Sequence, residues 1–232
     1  MDLKTLKEES EIITNKIIKK DSDLYRNIEP VIDGIVSIEE YIKTHPKILW
    51  VLKEPYDEAD GTGGGWQLVR DFPKDDQDNY IFGNSSSTWH PIIYICYGIL
   101  NNYRVFNEMP EITANSKMHQ ILNKIAVINI KKTPGQTATD YKSLDEAFKA
   151  NKDILFKQIE TYDPDIIIGG NTLGYFFNEM GILLNQFTDS DSVYYYKKDG
   201  KLFINAYHPA QRNTVDKDLY VNEIISAVKN KF

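Results

Sequence analysis

The stretch KILWVLKEPYDEADGTGGGW, residues 47–66, decides how the rest of the chain is interpreted. It begins with an unbroken apolar run, Ile48 to Leu52, which is typical of a strand buried on both faces of a parallel sheet. The run ends at Lys53 and Glu54, and a glycine-rich loop follows at positions 61–65. Open α/β sheets bind ligands at such strand ends. A strand that ends at a proline and continues as an ordinary loop is the alternative interpretation.

Two further apolar runs and a hairpin pattern extend this sheet. Residues 125–130 and 165–169 are apolar runs preceded by helical patterns, and each is interpreted as a buried parallel strand. Segments 193–196 and 202–206 flank the dipeptide Asp-Gly at 199–200, which is typical of a tight hairpin turn. Strands that alternate with helices predict the α/β class, as a three-layer α/β/α arrangement with a mainly parallel central sheet.

Helical patterns surround the predicted strands. An amphipathic helix is predicted over residues 3–20, and residues 1–46 are interpreted as a helical segment packed on a single domain that spans 1–232. Capping-box patterns begin at Ser37 and Ser143 and predict helix starts there. Further helices are predicted at about 89–101, 118–124, 143–162, 171–177 and 216–229, and residues 71–84 are predicted to form a polar loop.

Composition limits the classes of function. The net charge of −7 argues against a broad basic face for duplex DNA, although a local basic groove is compatible with it. The single cysteine, Cys96, excludes an intramolecular disulfide and a cysteine-based zinc site, and its apolar surroundings predict a buried, unreactive thiol. No apolar signal segment or membrane span is evident, so we expect a cytoplasmic protein with no membrane partner.

Polar residues follow each predicted parallel strand. Glu54 follows the first, Asn129 closes the second, Asn171 follows the third, and His208 follows the last. Because the carboxyl ends of parallel strands meet at one edge of a sheet, these side chains are expected to converge. A carboxylate, an imidazole and an amide in a small pocket suit the cleavage of a polar bond.

The motifs at these strand ends resemble those of the uracil-DNA glycosylase superfamily. KEPYD at 53–57 is similar to the family's first motif, Gly-Gln-Asp-Pro-Tyr-His, with the Pro and Tyr identical. HPAQR at 208–212 resembles the second motif, which begins His-Pro-Ser, and VINI at 127–130 resembles the middle strand that ends in Asn. The order of the motifs is the same, and the resemblance spans roughly residues 47–212.

The resemblance implies a role for each motif. Glu54 would hold or activate water, or stabilise a cationic sugar, as an N-glycosidic bond breaks. His208 would donate a hydrogen bond to the departing base, and Asn129 would read the base edge. Phe82 or Trp89 would stack on the base. A base in duplex DNA would have to flip out of the helix to enter such a pocket.

The resemblance also implies contacts to the base and to phosphate groups, and a reaction without a metal ion or cofactor. Tyr56 would border the base, and no metal ion or organic cofactor is implied. Expected phosphate or strand contacts are Gly63, Gly64, Ser86 and Arg212. We expect a monomer whose partner is DNA, a nucleobase or a nucleotide.

The chain departs from the family pattern at several positions. Leu52 replaces a Gly, Glu54 is one methylene longer than the family's Asp, and Asp57 replaces a His. Ala210 stands where the second motif has Ser, and Arg212 lies near the expected place of an apolar wedge.

Several functions therefore remain open. The first is an N-glycosylase that removes uracil or a related modified base from DNA. The second is a protein of the same fold that binds a nucleobase, a nucleotide or a single strand without cleaving it, with Glu54 as a structural carboxylate paired to Lys53 or Arg212. A hydrolase of free nucleotides is the third, and it would suit the acidic surface.

Overall fold

The computed structural model describes most of the chain. The described residues are 1–24, 28–57, 63–68, 86–136, 138–183, 188–189, 193–211 and 216–232. Phe82, Arg212 and the polar loop predicted at 71–84 lie outside the described residues.

The described strands form one mixed sheet with a parallel centre. They are β1 Gly34–Ile35, β2 Ile48–Leu52, β3 Ala126–Asn129, β4 Ile166–Gly170, β5 Thr188–Asp189, β6 Val193–Lys198 and β7 Lys201–Ala206. Their order is β1-β3-β2-β4-β7-β6-β5. Strands β3, β2, β4 and β7 pair in parallel, whereas β1, β6 and β5 add antiparallel edges. The mainly parallel centre agrees with the prediction.

Strands β2 and β4 are without polar side chains because helices cover both of their faces. Every residue of β2 and of β4 is buried. On β2, Trp50 and Leu52 pack into one core cluster, and Leu49 and Val51 pack into the other on the opposite face. Side chains of a strand alternate between faces, so a strand covered on both sides reads as an unbroken apolar run.

Helices form the outer two layers. They are α1 Leu3–Leu24, α2 Ile38–Tyr41, α3 Ser86–Leu100, α4 Tyr141–Tyr162, α5 Phe177–Met180 and α6 Lys217–Lys231, with 3-10 segments at Phe106–Glu108, Ser116–Lys124 and Leu173–Tyr175. Helices α3 and α6 pack on one face of the sheet. Helices α1 and α4 pack on the other face, where Leu6, Ile13 and Ile17 of α1 join the core. The arrangement is compatible with a three-layer α/β/α fold.

Several predicted helix details were wrong. Helix α4 begins at Tyr141 and not at Ser143, because Asp140 is the N-cap and accepts a hydrogen bond from the Lys142 N–H at 3.0 Å. Ser37 precedes α2 as expected, but its side chain makes no capping hydrogen bond. The segment predicted at 118–124 is a 3-10 helix, and the one predicted at 171–177 divides into a 3-10 turn and the short α5.

The strand order creates a crevice at the carboxyl end of the sheet. From β2 the chain continues to its neighbour β3 on one side, and from β4 it continues to β5, β6 and β7, which all lie on the other side. Ligands bind at such a reversal of strand order in open α/β sheets. Backbone pairing continues past the strands, since the Lys131 N–H donates to the Lys53 carbonyl at 2.9 Å and the Gly135 N–H donates to the Pro55 carbonyl at 2.9 Å. These bonds hold residues 53–55 at the edge of the crevice.

Cys96 lies in the core between α3 and the sheet. It is fully buried, and the Trp50 indole N–H donates to its sulfur at 3.3 Å. Burial raises the pKa of the Cys96 thiol to about 12, which confirms the predicted unreactive thiol. Among the described helices, none has the length and apolar character needed to cross a membrane.

Candidate functional site

A cavity of about 700 Å³ lies at the carboxyl ends of β2, β4 and β7. Glu54 follows β2, Asn171 follows β4 and His208 follows β7, and all three side chains line the cavity. Ser87 and Thr88, from the first turn of α3, complete the cavity on another side. The three residues that follow these strands therefore meet at the crevice, as the parallel order of the strands requires.

Glu54 is a nearly buried carboxylate. Its side chain is 9% exposed, and Oε2 lies 3.4 Å from Nζ of Lys131, whose side chain is 14% exposed. Among the described residues its cationic partner is thus Lys131, and not Lys53, while Arg212, the other partner that the alternative interpretation named, lies outside the described residues. Gly135 packs directly on Glu54, because a Cβ added at position 135 would collide with the carboxyl group. Lys131 and Gly135 together fix where the Glu54 carboxylate lies.

His208 is held as a neutral imidazole. Burial, with a further contribution from the positive charge of Lys53, lowers the pKa of His208 to about 4. The Ala210 N–H donates to Nδ1 of His208 at 3.2 Å. A ring nitrogen that accepts a hydrogen bond carries no proton, so the neutral ring keeps its proton on Nε2. His208 therefore presents one ring N–H donor and no charge at neutral pH.

Lys53 adds a cation to the same cavity. Its Nζ lies 3.1 Å from the hydroxyl oxygen of Tyr141 and 4.9 Å from the centroid of the Tyr141 ring. Both residues line the cavity. Their contact could not be foreseen from the sequence, because Tyr141 lies in the first turn of a helix that was predicted to begin two residues later.

Asn129 ends β3, as predicted, but its side chain lies in a buried polar network. Its backbone N–H and its side-chain amide donate to Oδ2 of Asp33 at 2.6 and 3.4 Å. The Lys132 ammonium lies 2.8 and 2.9 Å from the two Asp33 oxygens and donates to Gln158 at 3.0 Å. Gln158 donates back to Asp33 at 2.9 Å. The network holds the carboxyl end of β3 in place.

Side-chain amides in the cavity come from other positions. Asn171, Gln136 and Gln211 line it. Asn171 adopts a left-handed backbone with φ of 60°, and its N–H donates to the Ala206 carbonyl at 2.7 Å. Asn is among the few residues that adopt this conformation readily, so its position directly after a buried strand was a usable signal for the turn. Gln136 had no comparable signal, since it lies in an irregular segment.

Asp57 binds the described end of the glycine-rich loop, residues 63–66. The Gly64 N–H and the Trp66 indole N–H donate to Oδ2 of Asp57 at 2.8 and 3.1 Å. Gly63 and Gly64 have φ of 99° and 95°, and a Cβ at Gly63 would collide with Asp57. The Gly64 amide, expected to contact phosphate, is thus engaged by a carboxylate of the chain itself.

The other expected contacts are placed as follows. Tyr56 is exposed and lines the cavity, where its backbone bridges to Gly135. Ser86 begins α3 and lines an adjoining cavity of about 440 Å³, which shares His208 with the first. Trp89 belongs to α3, and its side chain is buried in the core cluster between this helix and the sheet. Phe82 and Arg212 fall outside the described residues.

The adjoining cavity has its own cation. Lys217, the first residue of α6, lines it, and its Nζ lies 4.8 Å from the ring centroid of Tyr94 and 5.4 Å from that of Phe106. Burial lowers the pKa of Lys217. In the described part of the chain, no group of three or more His, Cys, Asp or Glu side chains could hold a metal ion.

No protein-family model matches the chain, and no curated protein shows significant sequence similarity to it. Function must therefore be argued from the cavity, which combines a carboxylate, a neutral hydrogen-bond donor, a cation and side-chain amides.

Proposed function

We propose that this protein is an N-glycosylase-like hydrolase that removes uracil or a related modified base from DNA, on a domain of the uracil-DNA glycosylase type. One observation carries the proposal: Glu54, after the first parallel strand, and His208, after the last, line the same cavity at the switch point of the sheet. This is the pair to which the family resemblance assigns the reaction.

Glu54 would act on the sugar side of the bond. When the bond between C1′ and the base nitrogen breaks, positive charge develops on the sugar, and a nearby carboxylate lowers the energy of that state. Glu54 also provides an oxygen that can hold the attacking water. Its ion pair with Lys131 and its packing on Gly135 would hold this oxygen in one place before the substrate arrives.

His208 would act on the base. The departing base carries the electron pair of the broken bond, and an N–H donor aimed at it stabilises this negative charge. Because the pKa of His208 is lowered to about 4, the ring stays neutral over the physiological range and its donor stays on Nε2. The donor strength is therefore independent of pH near neutrality.

Base recognition is assigned to Tyr56 and Asn171. Both line the cavity, and an amide pairs a donor with an acceptor, which complements the adjacent carbonyl and N–H of uracil. The amide of Asn129 is engaged by Asp33 in the structure, so a role for Asn129 in reading the base remains a prediction. A stacking role for Phe82 likewise remains a prediction.

A cleavage assay tests the proposal. Labelled single-stranded and duplex oligonucleotides with one uracil, opposite A or G, are incubated with the protein and then treated with alkali, which breaks abasic sites. We expect strand breaks with the wild type and a loss of at least about 100-fold with Glu54→Gln and His208→Ala. Glu160→Gln and His45→Ala are matched controls, because both side chains are exposed. Equal cleavage activity in the Glu54→Gln variant and the wild type would remove Glu54 from the mechanism.

A second candidate is a protein that binds a nucleobase, a nucleotide or a single strand without cleaving it. The Glu54–Lys131 contact favours it, because this contact partly neutralises the carboxylate that the reaction needs. Binding of the same labelled oligonucleotides or of the free base, measured beside the cleavage assay, would select this candidate if no alkali-labile site forms. Cleavage of a free nucleotide alone would select the nucleotide hydrolase.

A further inference from the structure

The two lysines of the cavity region differ in what balances their charge. Lys131 lies beside the Glu54 carboxylate. Lys53 contacts the hydroxyl and the ring of Tyr141, and both are neutral groups. Among the described residues, no carboxylate lies within ion-pair distance of Lys53. Within this described part of the chain, its charge is therefore not paired with a carboxylate, although the whole chain carries a net charge of −7.

The position of Lys53 is fixed from two sides. Its carbonyl accepts a hydrogen bond from the Lys131 N–H at 2.9 Å, which extends the pairing of β2 with β3. Its ammonium group is held by Tyr141, the first residue of α4. The contact restricts the rotamers of the long lysine side chain. Because Tyr141 is neutral, it orients the ammonium group without cancelling its charge.

Lys53 and His208 act on the same part of the cavity. Both line it, and the charge of Lys53 contributes to the lowered pKa of the imidazole, second to burial. Negative charge that develops next to the His208 ring therefore develops near an ammonium group. In a partly desolvated site, such an interaction is stronger than it would be in bulk water.

We propose that Lys53 is a further catalytic residue, whose ammonium group contacts the leaving base and neutralises the negative charge that develops on it. The proposal rests on the proposed function and extends it. The bond between C1′ and the base nitrogen breaks, and its electron pair leaves with the base. The water oxygen bonds to C1′, a water proton passes to Glu54 and then to solvent, and the base anion takes a proton from solvent. Lys53 and His208 stabilise this anion in the interval.

A leaving-group test separates this role from a structural one. Single-turnover rates are measured for excision of uracil and of 5-fluorouracil from the same oligonucleotide. The electron-withdrawing fluorine makes the base a better leaving group, so its anion needs less help. We expect Lys53→Met to slow the excision of uracil about 100-fold and that of 5-fluorouracil clearly less, whereas Lys53→Arg keeps the charge and most of the rate. Lys142→Met, at the exposed neighbour of Tyr141, is the control.

The outcomes decide the proposal in each case. Equal losses with both bases, or a rise in KM with kcat unchanged, would overturn it and leave Lys53 as a binding or structural residue. Tyr141→Phe removes the hydroxyl contact but keeps the ring, and we expect a smaller loss, of about 10-fold, that again depends on the base.

A binding measurement covers the case in which the wild type excises neither base, which would reject the proposed function together with a catalytic role for Lys53 and leave only the contact between Lys53 and an anionic base to be tested. Free 5-fluorouracil is titrated below and above the pH at which its ring N–H ionises. Tighter binding of the anion by the wild type, lost in Lys53→Met, would support the contact between Lys53 and an anionic base. Equal affinity for the neutral and anionic forms would overturn it.

Discussion

Lys131 and Lys132 are adjacent in the sequence, yet their ion pairs are of opposite kinds. Lys132 and Asp33 are 0% exposed, with two oxygen contacts at 2.8 and 2.9 Å and further bonds to Gln158. Lys131 and Glu54 share one contact at 3.4 Å at the edge of a cavity. The chain bends directly after β3, at residues 130 and 131, and from there one lysine enters the core while its neighbour reaches the Glu54 carboxylate.

The two ion pairs differ in how completely their polar groups are satisfied. A buried ion pair is tolerated only when its remaining hydrogen-bonding groups are satisfied, and Asp33 receives bonds from Asn129, Lys132 and Gln158. The Glu54 pair is looser and borders a cavity that a substrate can enter. The same two chemical groups thus hold the fold at one position and, in the proposed function, serve the reaction at the next.

The largest expected effect is on stability. Lys132→Met should lower the free energy of unfolding by about 3–5 kcal/mol, because it leaves the Asp33 carboxylate buried without its cation. Urea denaturation of the variant and of Lys131→Met measures the difference. If the two substitutions cost the same, the contrast between the neighbouring pairs fails.

Glu54→Gln should have the converse effect. We expect turnover to fall at least about 100-fold while the free energy of unfolding changes by less than about 1 kcal/mol, since Gln keeps the shape of Glu and its amide oxygen can still accept from Lys131 across the 3.4 Å contact. Rates from the cleavage assay and urea midpoints are compared on the same preparations. A large loss of stability would place Glu54 with Asp33 as a structural carboxylate.

Gly135→Ala tests the packing of Glu54 without removing any charge. The added Cβ would collide with the Glu54 carboxyl group and should displace it, so we expect a loss of turnover of about 10-fold. Gly174→Ala is the control, because its Cβ would meet open space. Identical rates for both variants would show that the exact location of the carboxylate is unimportant.

Near neutral pH, the smallest expected effect is the pH response of His208. Its pKa is lowered from 6.5 to about 4 in the folded protein. As the pH falls from 6.5 towards 4, the unfolded chain takes up a proton that folded His208 does not, so stability is lost over this window and is fully present above it. NMR titration of the ring should show a neutral imidazole at pH 6, and His208→Ala should lack this contribution. A midpoint near 6.5 would contradict the neutral donor.

The sequence predicted the sheet better than the site. Strands β2 and β4 were predictable because burial on both faces leaves no polar residue in the run, and the hairpin was predictable from Asp199-Gly200. The convergence of Glu54 and His208 followed from the parallel order of the strands.

Other parts of the site depend on contacts between distant parts of the chain. Asp33 meets Lys132 across 99 positions, and no local pattern indicates which of two neighbouring lysines will be buried. The direction of the Asn129 side chain depends on the same network. Helix α4 began early because Asp140 caps it, and this shift brought Tyr141 to Lys53.

The buried thiol of Cys96 can report how often α3 separates transiently from the sheet. Because the thiol lies under the Trp50 indole and is the only cysteine in the chain, a thiol-reactive dye can attach only when α3 separates from the sheet. The labelling rate in buffer without denaturant would therefore count transient openings of this layer. A cysteine introduced on the surface could be labelled alone, which allows a fluorophore to be placed beside the crevice without altering the core.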